Sequence, residues 1–85
     1  MGNNALAKQV ARTITIGTKD AVVDVHEFQG RLWFMVRFTY ETALGETMMG
    51  KNGITVPLED APYMLQQMME VYKEATGNSV VPDDE

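Results

Sequence analysis

The sequence predicts an α+β protein in which a four-stranded antiparallel sheet is followed by one C-terminal helix. Residues 13–40 contain three stretches in which apolar and polar side chains alternate with the period of two that β-strands show, and residues 54–56 add a short fourth stretch. From residue 58 onward the apolar side chains recur at steps of three and four, which is the period of an amphipathic helix. The predicted order is therefore β-β-β-β-α, with the helix covering one face of the sheet.

Strands one and two are predicted from their β-branched residues. Residues 13–17, TITIG, alternate threonine with isoleucine and stop at glycine, and residues 21–28, AVVDVHEF, are rich in valine. Such stretches are typical of short, half-buried strands. In the second strand, alternation places Val23 and Val25 on one face and Phe28 on the other.

Strand three is expected over residues 31–40, after a two-residue turn. Gly30 can adopt the positive φ that a tight turn requires, so Gln29 and Gly30 predict a hairpin. One face of the third strand is nearly all apolar and is expected to meet the core, whereas the other carries Arg31, Trp33 and Arg37. A face that only packed against a core would not need arginine.

A long connection is expected between strands three and four, over residues 41–53. It contains three glycines, and most connections in compact domains are shorter, so its length favours a functional loop. Residues 52–53 are predicted to form the turn into strand four.

The C-terminal helix has recognisable boundaries. Pro57 and Pro62 suit its start, where a missing amide hydrogen costs little, and Gly77 suits its end. We therefore expect a flexible N-terminal arm over residues 1–11, a single folded domain over residues 12–76 and a flexible acidic tail over residues 77–85.

Composition excludes several classes of protein. The 85 residues contain 45% hydrophobic residues and no apolar run near the roughly 18 residues that a membrane helix needs, so no membrane association is expected. Cysteine is absent and His26 is the single histidine, which argues against disulfides, thiolate nucleophiles and multi-histidine metal centres. No secretory signal is recognisable, and we expect a cytoplasmic location in a bacterial or phage-infected cell, or a nuclear one in a eukaryote.

The net charge of -5 is unevenly distributed along the chain. Residues 1–53 carry six Lys and Arg against five Asp and Glu, whereas residues 54–85 carry one Lys against seven acids. Local potential rather than net charge steers a ligand, so the predicted sheet can still present a mildly positive face.

No motif predicts catalysis, a cofactor or a small-molecule substrate. His26 has no serine nearby in the sequence and no glycine elbow, and Glu59 with Asp60 are explained by the electrostatics of a helix start. Residues 50–53, GKNG, lack the spacing and the following helix of a nucleotide-binding P-loop. We therefore expect that the protein is not an enzyme.

Aromatic and cationic side chains are the candidate binding residues. Single-stranded nucleic acid is bound by aromatic planes that stack on bases and by cations that contact the backbone. Both kinds are present in the predicted sheet and its connections, as Lys19, Phe28, Arg31, Trp33, Arg37, Tyr40 and Lys51. From composition alone, ordinary packing of Phe28 and Tyr40 is the favoured alternative, because aromatic residues on strands usually pack. The helix methionines 64, 68 and 69 similarly suit a core or a helix-mediated dimer contact.

Short motifs between residues 16 and 54 occur in a distinctive order. They are IG at residues 16–17, FQG at 28–30, Arg37 followed by Tyr40, GE at 45–46 and GKNGI at 50–54. In this order the chain resembles the transcriptional positive cofactor four family, the single-stranded-DNA-binding coactivators, and in particular a bacterial or phage-type member. The spacing matches without a gap over residues 28–54, and the similarity extends over residues 13–72.

The resemblance implies a homodimer whose curved sheets bind single-stranded or melted DNA with little sequence preference. Phe28 and Tyr40 would stack on bases, while Arg31, Arg37 and Lys51 would contact the backbone. Gln29, Asn52 and the methionines near residue 48 stand where the family has basic residues. Fewer counterions are then released, so binding is expected to be weaker than in the family, with a shallower dependence on salt.

The expected function is single-stranded DNA binding in replication, recombination or transcription. The alternative is a non-enzymatic interaction module of the same fold, which would use its acidic helix and tail to dock on a replication or transcription protein.

Overall fold

The computed structural model describes residues 7–80, in which four strands precede a short 3₁₀ turn and one helix. The first six residues of the predicted arm and the last five of the predicted acidic tail lie outside this range. The elements are β1 (Val10–Ile16), β2 (Lys19–Phe28), β3 (Arg31–Glu41), β4 (Thr47–Pro57), the 3₁₀ turn Leu58–Asp60 and α1 (Ala61–Thr76). The predicted β-β-β-β-α order is therefore confirmed.

The sheet is a meander in which each strand pairs antiparallel with its neighbours along the chain, in the order β1-β2-β3-β4. Two-residue turns connect the first three strands. In the turn between β2 and β3, Gln29 has φ 54° and Gly30 has φ 77°, and the flanking Phe28 and Arg31 pair across it. Positive φ at both central positions defines a type I′ turn, so the predicted hairpin is confirmed at the expected residues.

Replacing Gln29 with asparagine is expected to stabilise the protein. Gln29 has a left-handed backbone that asparagine adopts with less strain than glutamine. We expect a gain of about 0.5–1 kcal/mol in the free energy of unfolding, seen as a rise of several degrees in Tm. Thr18→Asn in the β1–β2 turn is the matched control, because Thr18 does not have a positive φ. An equal or lower Tm for Gln29→Asn would contradict the turn assignment.

The predicted long loop between strands three and four is wrong. Only residues 42–46 connect β3 to β4, closed by hydrogen bonds from the Thr42 amide to the Glu46 carbonyl (2.8 Å) and from the Gly45 amide to the Thr42 carbonyl (2.9 Å). Gly50 and Gly53 lie inside β4, and residues 52–53 are not a turn. A Cβ at Gly53 would lie 2.2 Å from the Val36 carbonyl oxygen, so this glycine permits close approach of two backbones.

A bulge interrupts the pairing of β3 with β4. Arg37 pairs with Gly53 and Thr39 pairs with Met49, so residues 50–52 face Phe38 alone. Extra residues on one strand bend it, increase its twist and change the direction of its side chains. The bulge therefore accounts for the lysine and glycines that resemble a loop in the sequence.

The register divides the sheet into two faces, because directly paired residues share a face. We call one the aliphatic face; on β2 and β3 it carries Val23, Val25, Phe34 and Val36. We call the other the mixed face; on the same strands it carries Asp24, His26, Phe28, Arg31, Trp33, Met35 and Arg37. This division agrees with the predicted alternation.

Helix α1 does not cover the sheet, which corrects the expected packing. Its contacts are mainly with the 3₁₀ turn, and Ala61 is its one buried residue. The apolar period shows which side of a helix requires a partner but not what supplies it. Here the three-residue turn joins β4 directly to α1, leaving no loop on which the helix could fold back. Its predicted end is confirmed, because Gly77 has φ 78° and its amide bonds the Lys73 carbonyl at 2.7 Å.

The interior of this single chain is small. Among residues 7–80 the buried hydrophobic residues are Ala21, Met35 and Ala61, and no large side chain is fully enclosed. None of the helices in this range is long and apolar enough to cross a membrane.

Candidate nucleic-acid interface

Three predicted residues meet at the β2–β3 turn on the mixed face, and we call Phe28, Arg31 and Trp33 the hairpin cluster. Phe28 and Arg31 pair across the turn, and Trp33 follows two residues later on the same face. The Arg31 guanidinium carbon lies 5.4 Å from the Trp33 ring centroid, within cation–π range. Trp33 Nε1 donates a hydrogen bond to the Phe28 carbonyl at 3.3 Å, which ties the ring to the turn.

The exposure of the aromatic side chains tests the alternative in which Phe28 and Tyr40 simply pack in a core. Phe28 is 57% exposed and Tyr40 is 54% exposed, so neither packs into a core within this chain. Trp33 is half-buried. The rings of Phe28 and Tyr40 are therefore available to a ligand or to a partner subunit.

His26 extends the hairpin cluster along β2. It pairs directly with Trp33, and its Nδ1 lies 2.8 Å from the Asp24 Oδ1 atom. The sequence prediction assigned His26 to a strand without noticing this neighbour. The two-residue turn is the sequence signal that could have revealed this neighbour, because a turn that pairs Phe28 with Arg31 also places His26 opposite Trp33.

Arg37 lies further along the mixed face, between Val22 on β2 and Gly53 on β4. Its Cγ would be 2.7 Å from a Cβ at Gly53, so the missing side chain of that glycine leaves room for the arginine stem. Within residues 7–80 the Arg37 Nε is buried and has no hydrogen-bond partner. The arginine is therefore held against the sheet with one of its donors unused.

The remaining predicted residues gather at the opposite end of β3, and we call Lys19, Tyr40 and Lys51 the bulge cluster. Lys19 Nζ lies 5.8 Å from the Phe38 ring centroid, and Lys51 is an exposed bulge residue. A Cβ at the neighbouring Gly50 would be 3.8 Å from the Tyr40 ring, which places the bulge beside Tyr40. By alternation Lys19 and Tyr40 belong to the aliphatic face.

The two clusters are far apart. Tyr40 is nine positions beyond Arg31 on β3, about 30 Å at the rise of an extended strand. The predicted base-stacking residues Phe28 and Tyr40 therefore do not form one site, and Arg37 lies on the strand between them. By alternation the two clusters also belong to opposite faces of the sheet.

Two further residues emerge from the structure. Phe38, expected in the core, lies beneath the Lys19 ammonium. Glu59 accepts a hydrogen bond from Arg31 Nη2 at 3.0 Å. Glu59 was explained in the sequence by its position at a helix start, and only the β3–β4 register brings it beside Arg31.

The mixed face has no excess of positive charge on β2 and β3. Its two described cations there, Arg31 and Arg37, are outnumbered by Asp20, Asp24 and Glu41. Within the described part of the chain, no group of three or more His, Asp and Glu residues is placed to hold a metal ion. The exposed aromatic rings, rather than charge alone, distinguish this surface.

A comparison with solved structures finds the same fold in a bacteriophage T5 homologue of the eukaryotic transcription coactivator PC4 implicated in recombination-dependent DNA replication. The TM-score is 0.67, with 18% sequence identity, over 81% of this chain and 82% of the T5 chain. The predicted resemblance is thereby confirmed in the fold. No protein-family model matches the chain, and no curated protein matches it significantly by sequence.

Proposed function

We propose that this protein binds single-stranded DNA with little sequence preference and acts without catalysis. The observation that carries the proposal is the pair of aromatic and cationic clusters at the two ends of β3, each with an aromatic ring more than half exposed. Base stacking tolerates any sequence because every base has a π-face. The shared fold with the T5 homologue of a transcription coactivator supports the same conclusion.

In this proposal single-stranded DNA contacts each cluster separately, because by alternation the two clusters belong to opposite faces of the sheet. Bases stack on Phe28 and Trp33 at the hairpin cluster and on Tyr40 at the bulge cluster. Arg31, Arg37, Lys51 and Lys19 contact phosphates of the bound strands.

Replacing Arg37 and Lys51 with alanine is expected to weaken binding to every single-stranded sequence by a similar factor. Both side chains would contact phosphates, which carry no sequence information. Each lost contact should also reduce the slope of log K against log salt by about 0.7. Anisotropy of labelled oligonucleotides of different sequence, measured over a range of salt concentrations, gives both quantities.

Lys73→Ala is the matched control, because it removes a cation from the last turn of α1 that belongs to neither cluster. Its salt slope should equal that of the unaltered protein. Unchanged slopes for the Arg37 and Lys51 variants would contradict the proposed phosphate contacts.

We also propose that the protein is a homodimer, because a single chain exposes too much surface. Among residues 7–80 no large side chain is fully enclosed, and the exposed large hydrophobic residues include Leu65, Met68, Met69 and Tyr72 on α1. Apolar surface left uncovered to this extent marks an interaction site.

The apolar stripe of α1 is the proposed dimer contact. Leu65, Met68, Met69 and Tyr72 are 40–52% exposed and, with Val80, surround one open groove. Isolated apolar residues on a surface are ordinary, but a continuous stripe of this kind marks an interface. A second copy presents an identical stripe, as a two-fold symmetric contact requires.

Met68→Glu is expected to convert the dimer to monomer, because it would bury a charge in the contact. Sedimentation equilibrium should give about 19 kDa for the unaltered protein, twice its 9.5 kDa chain mass, and the chain mass for the variant. Tyr63→Glu is the control, since Tyr63 is 70% exposed and lies on the other side of the helix. A monomeric unaltered protein, or a dimeric Met68→Glu variant, would contradict the proposed contact.

Replication, recombination or transcription is the proposed setting, in the cytoplasm of a bacterial or phage-infected cell. The T5 homologue is implicated in recombination-dependent DNA replication, which supports the first two processes. Binding to a replication or transcription protein without any affinity for single strands would instead favour the interaction-module alternative.

A further inference from the structure

The Arg31–Glu59 ion pair joins the hairpin cluster to the turn that precedes α1. Arg31 Nη2 lies 3.0 Å from Glu59 Oε2, and the two side chains are 50% and 49% exposed. The β3–β4 register explains the contact, because extending the pairing of Trp33 with Pro57 by two residues brings Arg31 opposite Glu59. In this structure Glu59 therefore forms an ion pair with Arg31, one of the cations that the proposed function assigns to DNA.

The geometry makes Glu59 a competitor of a phosphate. A carboxylate and a phosphate both accept charge-assisted hydrogen bonds from the planar fork of a guanidinium. Arg31 also lies 5.4 Å from the Trp33 ring centroid, so the site for a phosphate at Arg31 adjoins the site for a base at Trp33. A phosphate that binds this guanidinium through Nη2 therefore has to displace the Glu59 carboxylate.

We infer that Glu59 is an internal phosphate mimic that limits the affinity of the hairpin cluster, and that single-stranded DNA displaces it from Arg31. The inference rests on the proposed function. In the free protein Glu59 neutralises Arg31. In the complex a phosphate takes that position, and the released carboxylate is hydrated beside the DNA.

Two measurable effects follow from this exchange. An exposed ion pair changes an equilibrium constant by up to about fivefold, so removing Glu59's charge should tighten binding by a few-fold. The salt dependence should also steepen. When Glu59 neutralises Arg31, fewer counterions are available for release, so its removal adds up to about 0.7 to the slope of log K against log salt.

Glu59→Gln tests the inference, because the amide preserves the shape of the side chain and removes its charge. Anisotropy titrations with a labelled single-stranded oligonucleotide should show tighter binding and a steeper salt slope than for the unaltered protein. Asp60→Asn is the matched control. It removes the same charge one residue later, where the side chain makes no capping hydrogen bond, and should change affinity less. Equal or weaker binding by Glu59→Gln would overturn the inference.

The Arg31→Ala background separates competition from general charge repulsion. If Glu59 acts through Arg31, Glu59→Gln should give no gain in that background, whereas a persisting gain would overturn the inference. Failure of the unaltered protein to bind single strands at low salt would overturn the proposed function itself. That outcome is distinct from equal binding by the unaltered protein and Glu59→Gln.

Discussion

Replacing Gly53 with alanine is expected to destabilise the protein by about 1–3 kcal/mol or more, because the added methyl group would overpack the close contact between β3 and β4. The new Cβ would lie 2.2 Å from the Val36 carbonyl oxygen and 2.9 Å from the Arg37 Cα, and neither backbone atom can move without separating β3 from β4. The same Cβ would lie 2.7 Å from the Arg37 Cγ, so single-strand affinity should fall with stability. Thermal unfolding and oligonucleotide anisotropy measure the two effects.

Two substitutions at neighbouring positions provide comparisons for the stability of Gly53→Ala. At Gly50 a Cβ would be 2.9 Å from the Phe38 carbonyl oxygen and otherwise uncrowded, so Gly50→Ala should cost less than Gly53→Ala. Asn52→Ala changes an exposed bulge residue and should be nearly neutral. A neutral Gly53→Ala would show that residues 50–53 form a free loop instead of part of β4.

Replacing Phe28 with alanine is expected to weaken single-strand binding by roughly fivefold to more than a hundredfold. Stacking of a base on an aromatic ring contributes about 1–3 kcal/mol, and a tenfold change corresponds to about 1.4 kcal/mol. Phe28 is 57% exposed and is the last residue of β2, so its replacement should lower Tm little. Anisotropy titration together with a thermal melt distinguishes lost binding from lost folding.

Two other substitutions at Phe28 and one at an exposed loop residue serve as controls. Phe28→Tyr keeps a planar ring and should retain binding, whereas Phe28→Leu keeps apolar bulk without the ring and should resemble alanine. Leu44→Ala removes an apolar side chain that is 87% exposed in the β3–β4 loop and should have no effect. Full binding by both Phe28→Ala and Phe28→Leu would eliminate Phe28 as a stacking residue.

Local patterns predicted much of the fold. The β2–β3 hairpin follows from Gln29 and Gly30 with alternating residues on each side, and α1 follows from its apolar period. The predicted loop over residues 41–53 failed because glycine has two uses that a single sequence does not separate. It permits turns, and it also permits close backbone approach, which is its role at Gly53.

Long-range packing was not predictable in the same way. The helix period indicates that Leu65 and Met68 require cover, but it cannot state whether the chain's own sheet or a second chain supplies it. The short turn between β4 and α1 leaves no loop on which the helix could fold back, so the chain's own sheet does not cover this stripe.

The candidate site was predicted in part. Alternation alone placed Arg31, Trp33 and Arg37 on one face. Residue type marked Phe28, Tyr40 and Lys51 as candidates, and the resemblance assigned the first two to bases and Lys51 to the backbone. Neither pattern indicated that Glu59 reaches Arg31. That contact depends on the β3–β4 register, in which Trp33 pairs with Pro57.

Fluorescence of Trp33 tests the central claim most directly, because it is the only tryptophan in the chain and lies within the hairpin cluster. We expect single-stranded oligonucleotides of any sequence to change its emission at the concentrations that raise oligonucleotide anisotropy. Duplex DNA should have a smaller effect, and added salt should shift both titrations together. Anisotropy that rises without any change in Trp33 emission would place the DNA elsewhere, and no response to single strands at low salt would contradict the proposed function.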